Sequence, residues 1–174
     1  MKDNALSVAN YFIDLARNDA MDIKPLRLIK LVYIAHGHML AMLGRSVLDP
    51  RFDQVEAWKY GPVVPSVYHS FKYFKNNPIT DKTVLLTCDE NGIADFQEPK
   101  LTDVEAQKIC AYVWNRYKTY TDNELVTLLH RKGSPWETVY VEGRNMPIPD
   151  EYTRVYYRQL IDRLLAIARH EEGS

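Results

Sequence analysis

A chain of 174 residues with 46% hydrophobic, 11% aromatic and 26% charged content has enough apolar side chain for a packed core, and composition argues against disorder. It fits one domain, expected over residues 1–174 with the core at about 5–168. Lys and Arg number 22 against 23 Asp and Glu, a net charge of −1, so no overall positive field draws the chain to nucleic acid.

Two cysteines, Cys88 and Cys110, form no Cys-x-x-Cys pair and argue against a disulfide scaffold. The start carries Asp3 and Asn4 where an export signal would turn apolar, and the most apolar run, Leu28 to Ala35, is interrupted by Lys30. A cytoplasmic protein without a membrane segment is expected.

In chain order, Ala5, Val8, Ala9, Phe12, Leu15 and Ala16 recur at helical spacing behind a cap supplied by Asp3 or Asn4. Pro25 opens a second helix, apolar almost all round and therefore central, which Gly44 ends. Val55 to Trp58 alternates as a short strand, closed by a turn at Tyr60-Gly61-Pro62. Pro65 then opens a third helix with Val64, Val67, Tyr68, Phe71 and Phe74 inward, stopped by Asn76-Asn77-Pro78.

Thr83 to Thr87 and Ile93 to Phe96 flank Asp89-Glu90-Asn91-Gly92, which predicts an antiparallel hairpin. Capping boxes at Thr102 with Glu105 and at Thr121 with Glu124 predict two further helices. Turns follow at Gly133-Ser134-Pro135-Trp136 and at Pro147 and Pro149. A last helix runs from about Asp150, with Tyr157, Leu160, Ile161, Leu164, Leu165 and Ala168 inward and a frayed tail over residues 170–174. The fold class is mainly α (α+β): a bundle of about six helices with a small antiparallel hairpin or sheet.

Chemistry-bearing patterns are sparse. His36 and His38 are two apart and point to opposite faces of a helix, whereas a helical metal pair needs a spacing of four. His69 and His130 stand alone and read as hydrogen-bonded, half-buried imidazoles. Ser66 and Ser134 adjoin prolines, as capping hydroxyls do, and no Gly-x-Ser-x-Gly elbow occurs. Cys88 and Cys110 read as structural, and neither a Gly-x-Gly-x-x-Gly nor a Walker sequence is present. No catalytic residue, metal ligand or cofactor is assigned. The basic groups Lys24, Arg27 and Lys30, Lys72 and Lys75, and Arg154, Arg158 and Arg163 are interspersed with acids and read as solvated faces.

The run from Glu56 to Tyr68, Glu-Ala-Trp-Lys-Tyr-Gly-Pro-Val-Val-Pro-Ser-Val-Tyr, resembles the signature of the Panacea (SocA-like) antitoxin domain, also described as a phage-associated genetic element protein. The likeness continues at Lys30 to Gly37 with Leu40, then at Leu125, His130, Ser134-Pro135-Trp136 and the Tyr-rich last helix, over about residues 5 to 168. The resemblance implies a compact helical protein of bacteria and phages, not an enzyme, that neutralises a partner toxin by binding it. The toxin would be encoded next door, and some members hand theirs to a protease. Many members carry a further terminal domain, such as a DNA-binding one, for which this chain has no room, so operon autoregulation is not expected.

Gly61, Pro62 and Pro65 would stiffen the motif, and a stiff aromatic loop loses little entropy on docking. Trp58 and Tyr60 are either a plug between strand and helix or partner contacts. We read them as contacts because Lys59 and Gln54 give them polar company. The candidate partner-binding residues are thus Trp58, Lys59, Tyr60, Pro62, Val63, Tyr68 and Trp136. A nucleic-acid-associated phage or regulatory protein and a metal-dependent hydrolase are the competing readings.

Overall fold

In a computed structural model, which describes residues 2–88 and 90–172 with side chains through 169, the elements follow in this order. Helices α1 (Ala5–Asn18) and α2 (Pro25–Leu43) precede strands β1 (Glu56–Trp58) and β2 (Gly61–Val63). Helix α3 (Pro65–Phe71) ends in a 3-10 turn at Lys72–Phe74 and is followed by strands β3 (Leu85–Cys88) and β4 (Ala94–Gln97). Helices α4 (Val104–Tyr117), α5 (Asp122–Leu129) and α6 (Pro135–Val139), strand β5 (Met146–Pro147) and helix α7 (Asp150–Glu172) complete it. The mainly helical class with minor antiparallel sheets is as expected.

Local sequence explains most boundaries. Asn4 caps α1 by accepting from the Leu6 and Ser7 N–H groups at 3.0 Å each, while Ser7 Oγ accepts from the Asn4 N–H at 3.0 Å. Thr121 and Glu124 form the expected box at α5. The box expected at Thr102 does not form, because a better acceptor is one residue on. Asp103 caps α4, its carboxylate accepting from the Ala106 N–H at 3.0 Å. Thr102 is engaged by Asp3, whose carboxylate accepts from the Thr102 and Asp103 N–H groups at 3.0 and 2.7 Å and so ties the start of the chain to α4.

Helix α2 is the axis. Every side chain from Leu28 to Ala41 is buried, against α1, α4, α5, α7 and β2. Its 19 residues are long and apolar enough to cross a bilayer, but they are enclosed by the other helices. It packs extensively on α7, where the Tyr157 ring lies directly on Gly37. A Cβ built there would stand 2.3 Å from the ring. On α4, the buried Trp114 donates its indole N–H to Asp19 at 2.8 Å, which satisfies its polar edge.

Several expectations are corrected. The turn placed at Tyr60-Gly61-Pro62 sits one residue earlier, at Lys59-Tyr60, because Gly61–Val63 pairs antiparallel with β1. Pro147, taken as part of a turn, joins β5 on the other side of β1, giving a sheet in the order β2-β1-β5. The turn at Ser134-Pro135-Trp136 is the first turn of α6, with Ser134 as its cap. The predicted hairpin forms, with Cys88 opposite Ala94 and Gly92 at φ +77°. Asp89 of its turn lies outside the described residues.

Lys30 does not share a solvated face with Lys24 and Arg27; it is 1% exposed. Leu164, Leu165 and Ala168 face solvent, because α7 outruns the helices beneath it after Ile161. The helix continues to Glu172, past the point where fraying was expected, and residues 173–174 lie outside the described residues. Ser66 caps nothing; its hydroxyl donates to Asp53 at 3.0 Å. That carboxylate, 6% exposed, also accepts from the Ala5 and Asp49 N–H groups at 3.1 and 3.2 Å, joining α1, the loop before β1 and α3.

Gly37→Ala tests the seating of Tyr157. Alanine favours a helix by about 1 kcal/mol, but overpacking costs about 1–3 kcal/mol, and here the methyl meets a ring held at full burial. We expect a thermal melt lower by several degrees; an unchanged or raised melt would mean that the ring steps aside without cost.

Candidate functional site

The motif folds into two layers. Pro62 and Val63 of β2 are buried, while Lys59 and Tyr60 at the turn stand in solvent, Tyr60 at 62% exposure. The Lys59 ammonium lies 5.7 Å above the Tyr60 ring. Trp58 is half-buried: its indole N–H donates to Glu56 at 2.7 Å, and its ring meets Tyr68 of α3 edge-on at 4.8 Å. Trp136 of α6 donates its indole N–H to the Trp58 carbonyl at 2.7 Å, which fastens α6 to the hairpin. Its ring stacks on His130 at 3.8 Å and on Tyr140 at 4.4 Å. The structure thus gathers Trp58, Tyr60, Tyr68 and Trp136 around one hairpin, from elements 78 residues apart at the Trp136–Trp58 contact.

Beneath this surface lies a part that pattern reading missed. The Lys30 ammonium donates to the Pro62 carbonyl at 2.9 Å. Gly61, at φ +103°, lets both Lys30 and His130 close in. A Cβ there would meet Lys30 Nζ at 3.2 Å and His130 Nε2 at 3.4 Å. His130 Nε2 is itself buried without a hydrogen-bond partner. Burial brings the Lys30 pKa down to about 7, and burial together with the Lys30 charge lowers that of His130. A lysine in the middle of an apolar helix was the available signal, but its acceptor is 32 residues away in sequence.

The other candidates resolve individually. His36 pairs with Ser46 at 2.8 Å and with Asp150 at 3.2 Å, while His38 donates to the Ile34 carbonyl at 2.9 Å. His69, expected to be half-buried, is exposed and lies edge-on to Tyr68. Among the described residues no group of three His, Cys, Asp or Glu could hold a metal ion. Ser134 caps α6 through the Glu137 N–H at 3.2 Å. Burial pushes the Cys110 thiol pKa up, away from the reactive thiolate, and Cys88 is exposed. The arrangement is a braced aromatic surface over a closed polar contact.

The buried lysine has a pH signature. Between about pH 7 and the ordinary lysine value of 10.5, the unfolded chain holds a proton that folded Lys30 has released, so stability rises with pH across this window. His130, lowered in the same sense, acts in the same direction below its ordinary 6.5. The natural chain should therefore melt at higher temperature at pH 9 than at pH 7, and Lys30→Met should remove most of that slope. A slope retained in the variant would assign it elsewhere.

Residues 28–137 match the family model described as antitoxin SocA-like, Panacea domain. Antitoxin SocA of Caulobacter vibrioides (strain NA1000 / CB15N) is 33% identical over 141 residues, covering 78% of this chain and 70% of that protein. No solved structure matches. The matched span begins on the buried length of α2 and ends just past Trp136, so it takes in Lys30, the hairpin, His130 and the α6 cap together. On the extent of both matches, this chain belongs to the SocA-like antitoxin family, the family of the Panacea domain.

Proposed function

We propose that this chain neutralises a protein toxin by binding it through the hairpin surface formed by Trp58, Lys59, Tyr60, Tyr68 and Trp136, with Pro62 and Val63 as the buried support. The observation that carries the reading is Tyr60. A large ring at 62% exposure, on a two-residue turn whose strands are fixed from below by Lys30 and from the side by Trp136, is an anchor that loses little freedom on docking. Tyr and Trp dominate binding hot spots for this reason. Membership of the antitoxin family supplies the kind of partner, and the name of the relative, antitoxin SocA, is consistent with it. Handing the bound toxin to a protease belongs to the same proposal.

The partner should be the product of an adjacent gene, toxic when expressed alone and harmless with this chain. If the chain also acts as an adaptor, the toxin's half-life in cells should shorten when the two are expressed together. A neighbour without that behaviour, and no captured protein with it, would remove the reading.

At the surface, Tyr60→Ala should leave the thermal melt within about a degree and weaken capture of the toxin by roughly thirtyfold, the equivalent of about 2 kcal/mol. Trp58→Ala should do both kinds of harm, because its ring also packs on Tyr68. An early melt for Tyr60→Ala, or undiminished capture by both variants, would reduce the motif to a packing element.

A further inference from the structure

Where α5 ends and α7 passes, Arg131, Lys132 and Gly133 face Tyr156, Leu160 and Arg163 across a cleft of about 250 Å³. Three cations line it. None of their side chains makes an ion pair or hydrogen bond among the described residues, whereas the preceding arginines of α7 are engaged. Arg154 pairs with Glu151 at 2.7 Å, and Arg158 lies 4.0 Å from Asp162 and donates to the Ala41 carbonyl at 3.1 Å. Of the neighbouring acids, Glu137 directs its carboxylate to the Gly133 N–H at 3.2 Å and Asp162, next to Arg163, faces Arg158 at 4.0 Å, so neither pairs with the three. Like charges gathered on a concave surface raise the local potential and favour an anion, and guanidinium groups bind carboxylates through paired hydrogen bonds.

We propose that this cleft seats the acidic side chains of an extended segment of the partner protein, with the exposed Leu164 and Ile167 taking an apolar neighbour in that segment. These two follow Leu160 at spacings of four and seven on the same face of α7, and are 37% and 55% exposed. The inference rests on the partner-binding reading above and extends that surface, since Arg131 follows His130 and the loop leads into Trp136. A tract of phosphates suits the cleft less well. Its flank is apolar, and the chain as a whole carries a net charge of −1.

The test uses the full chain, isotope-labelled for amide NMR, titrated at low ionic strength with a capped hexaglutamate peptide and, in parallel, with an oligothymidylate of equal charge. The peptide should move the amide resonances of Lys132, Gly133 and Leu160. The double variant Arg131→Gln, Arg163→Gln should melt as the natural chain does, both side chains being exposed, and should bind the peptide about tenfold more weakly. Shifts confined to other surfaces, or peptide affinity unchanged in the double variant, would overturn the carboxylate seat. Tighter binding of the oligonucleotide at the same residues would replace it with a nucleic-acid site. Peptide binding that holds while no toxin is neutralised would remove the partner reading and leave the seat; neutralisation that holds while the peptide fails would remove the seat alone.

Discussion

A helical stretch enclosed on every side has no wet face on which to carry a charge, and α2 from Leu28 to Ala41 is such a stretch, with Lys30 near its start. The ammonium cannot reach water, so it must find an oxygen inside, and the Pro62 carbonyl at 2.9 Å is that oxygen. A backbone carbonyl is available there because β2 is an edge strand lying across α2. The same enclosure explains Gly37: α7 can close over α2 only where a backbone without a side chain receives the Tyr157 ring.

From this contact the division of labour within the signature follows. Its middle, Gly61 to Val64, is buried against α2, and its ends differ from one another. Lys59 and Tyr60 stand clear, whereas Trp58 is held at half burial by Tyr68 and by the hydrogen bond that Trp136 makes to its carbonyl. Burial separates these residues by position: Pro62 and Val63 are packed inside, Tyr60 stands in solvent, and Trp58 is half-buried against Tyr68. A surface built this way is ordered before any partner arrives, which is the condition under which exposed aromatic area converts into affinity.

The same economy runs through the rest of the chain. Cations that face acids are neutralised locally, as Arg51 is by Asp49 at 2.7 Å and Lys82 by Glu98 at 2.5 Å. Among the described residues, deeply buried polar groups are given partners, with Asp53 receiving three donors and His36 two contacts. His130 Nε2 departs from that rule, buried and unbonded beneath the stacked Trp136 ring, and its imidazole acts there as a flat packing surface.

Sequence by itself determined whatever depends on near neighbours. The apolar period placed α1, α2, α4 and α5, the Thr121 box and Gly44 set their ends, and Pro65 opened α3. The string from Trp58 to Pro65 carried the family, because its order is too specific for chance. Tertiary structure decided what depends on residues far apart. Asp3 reaches Thr102 and Asp103, Pro147 pairs beside β1, and Lys30 meets Pro62, none of which leaves a local pattern. It also decided where α7 stops being covered. Leu164 and Leu165 continue the same apolar period as Leu160, and a period records which face of a helix is apolar, not whether another element lies against it.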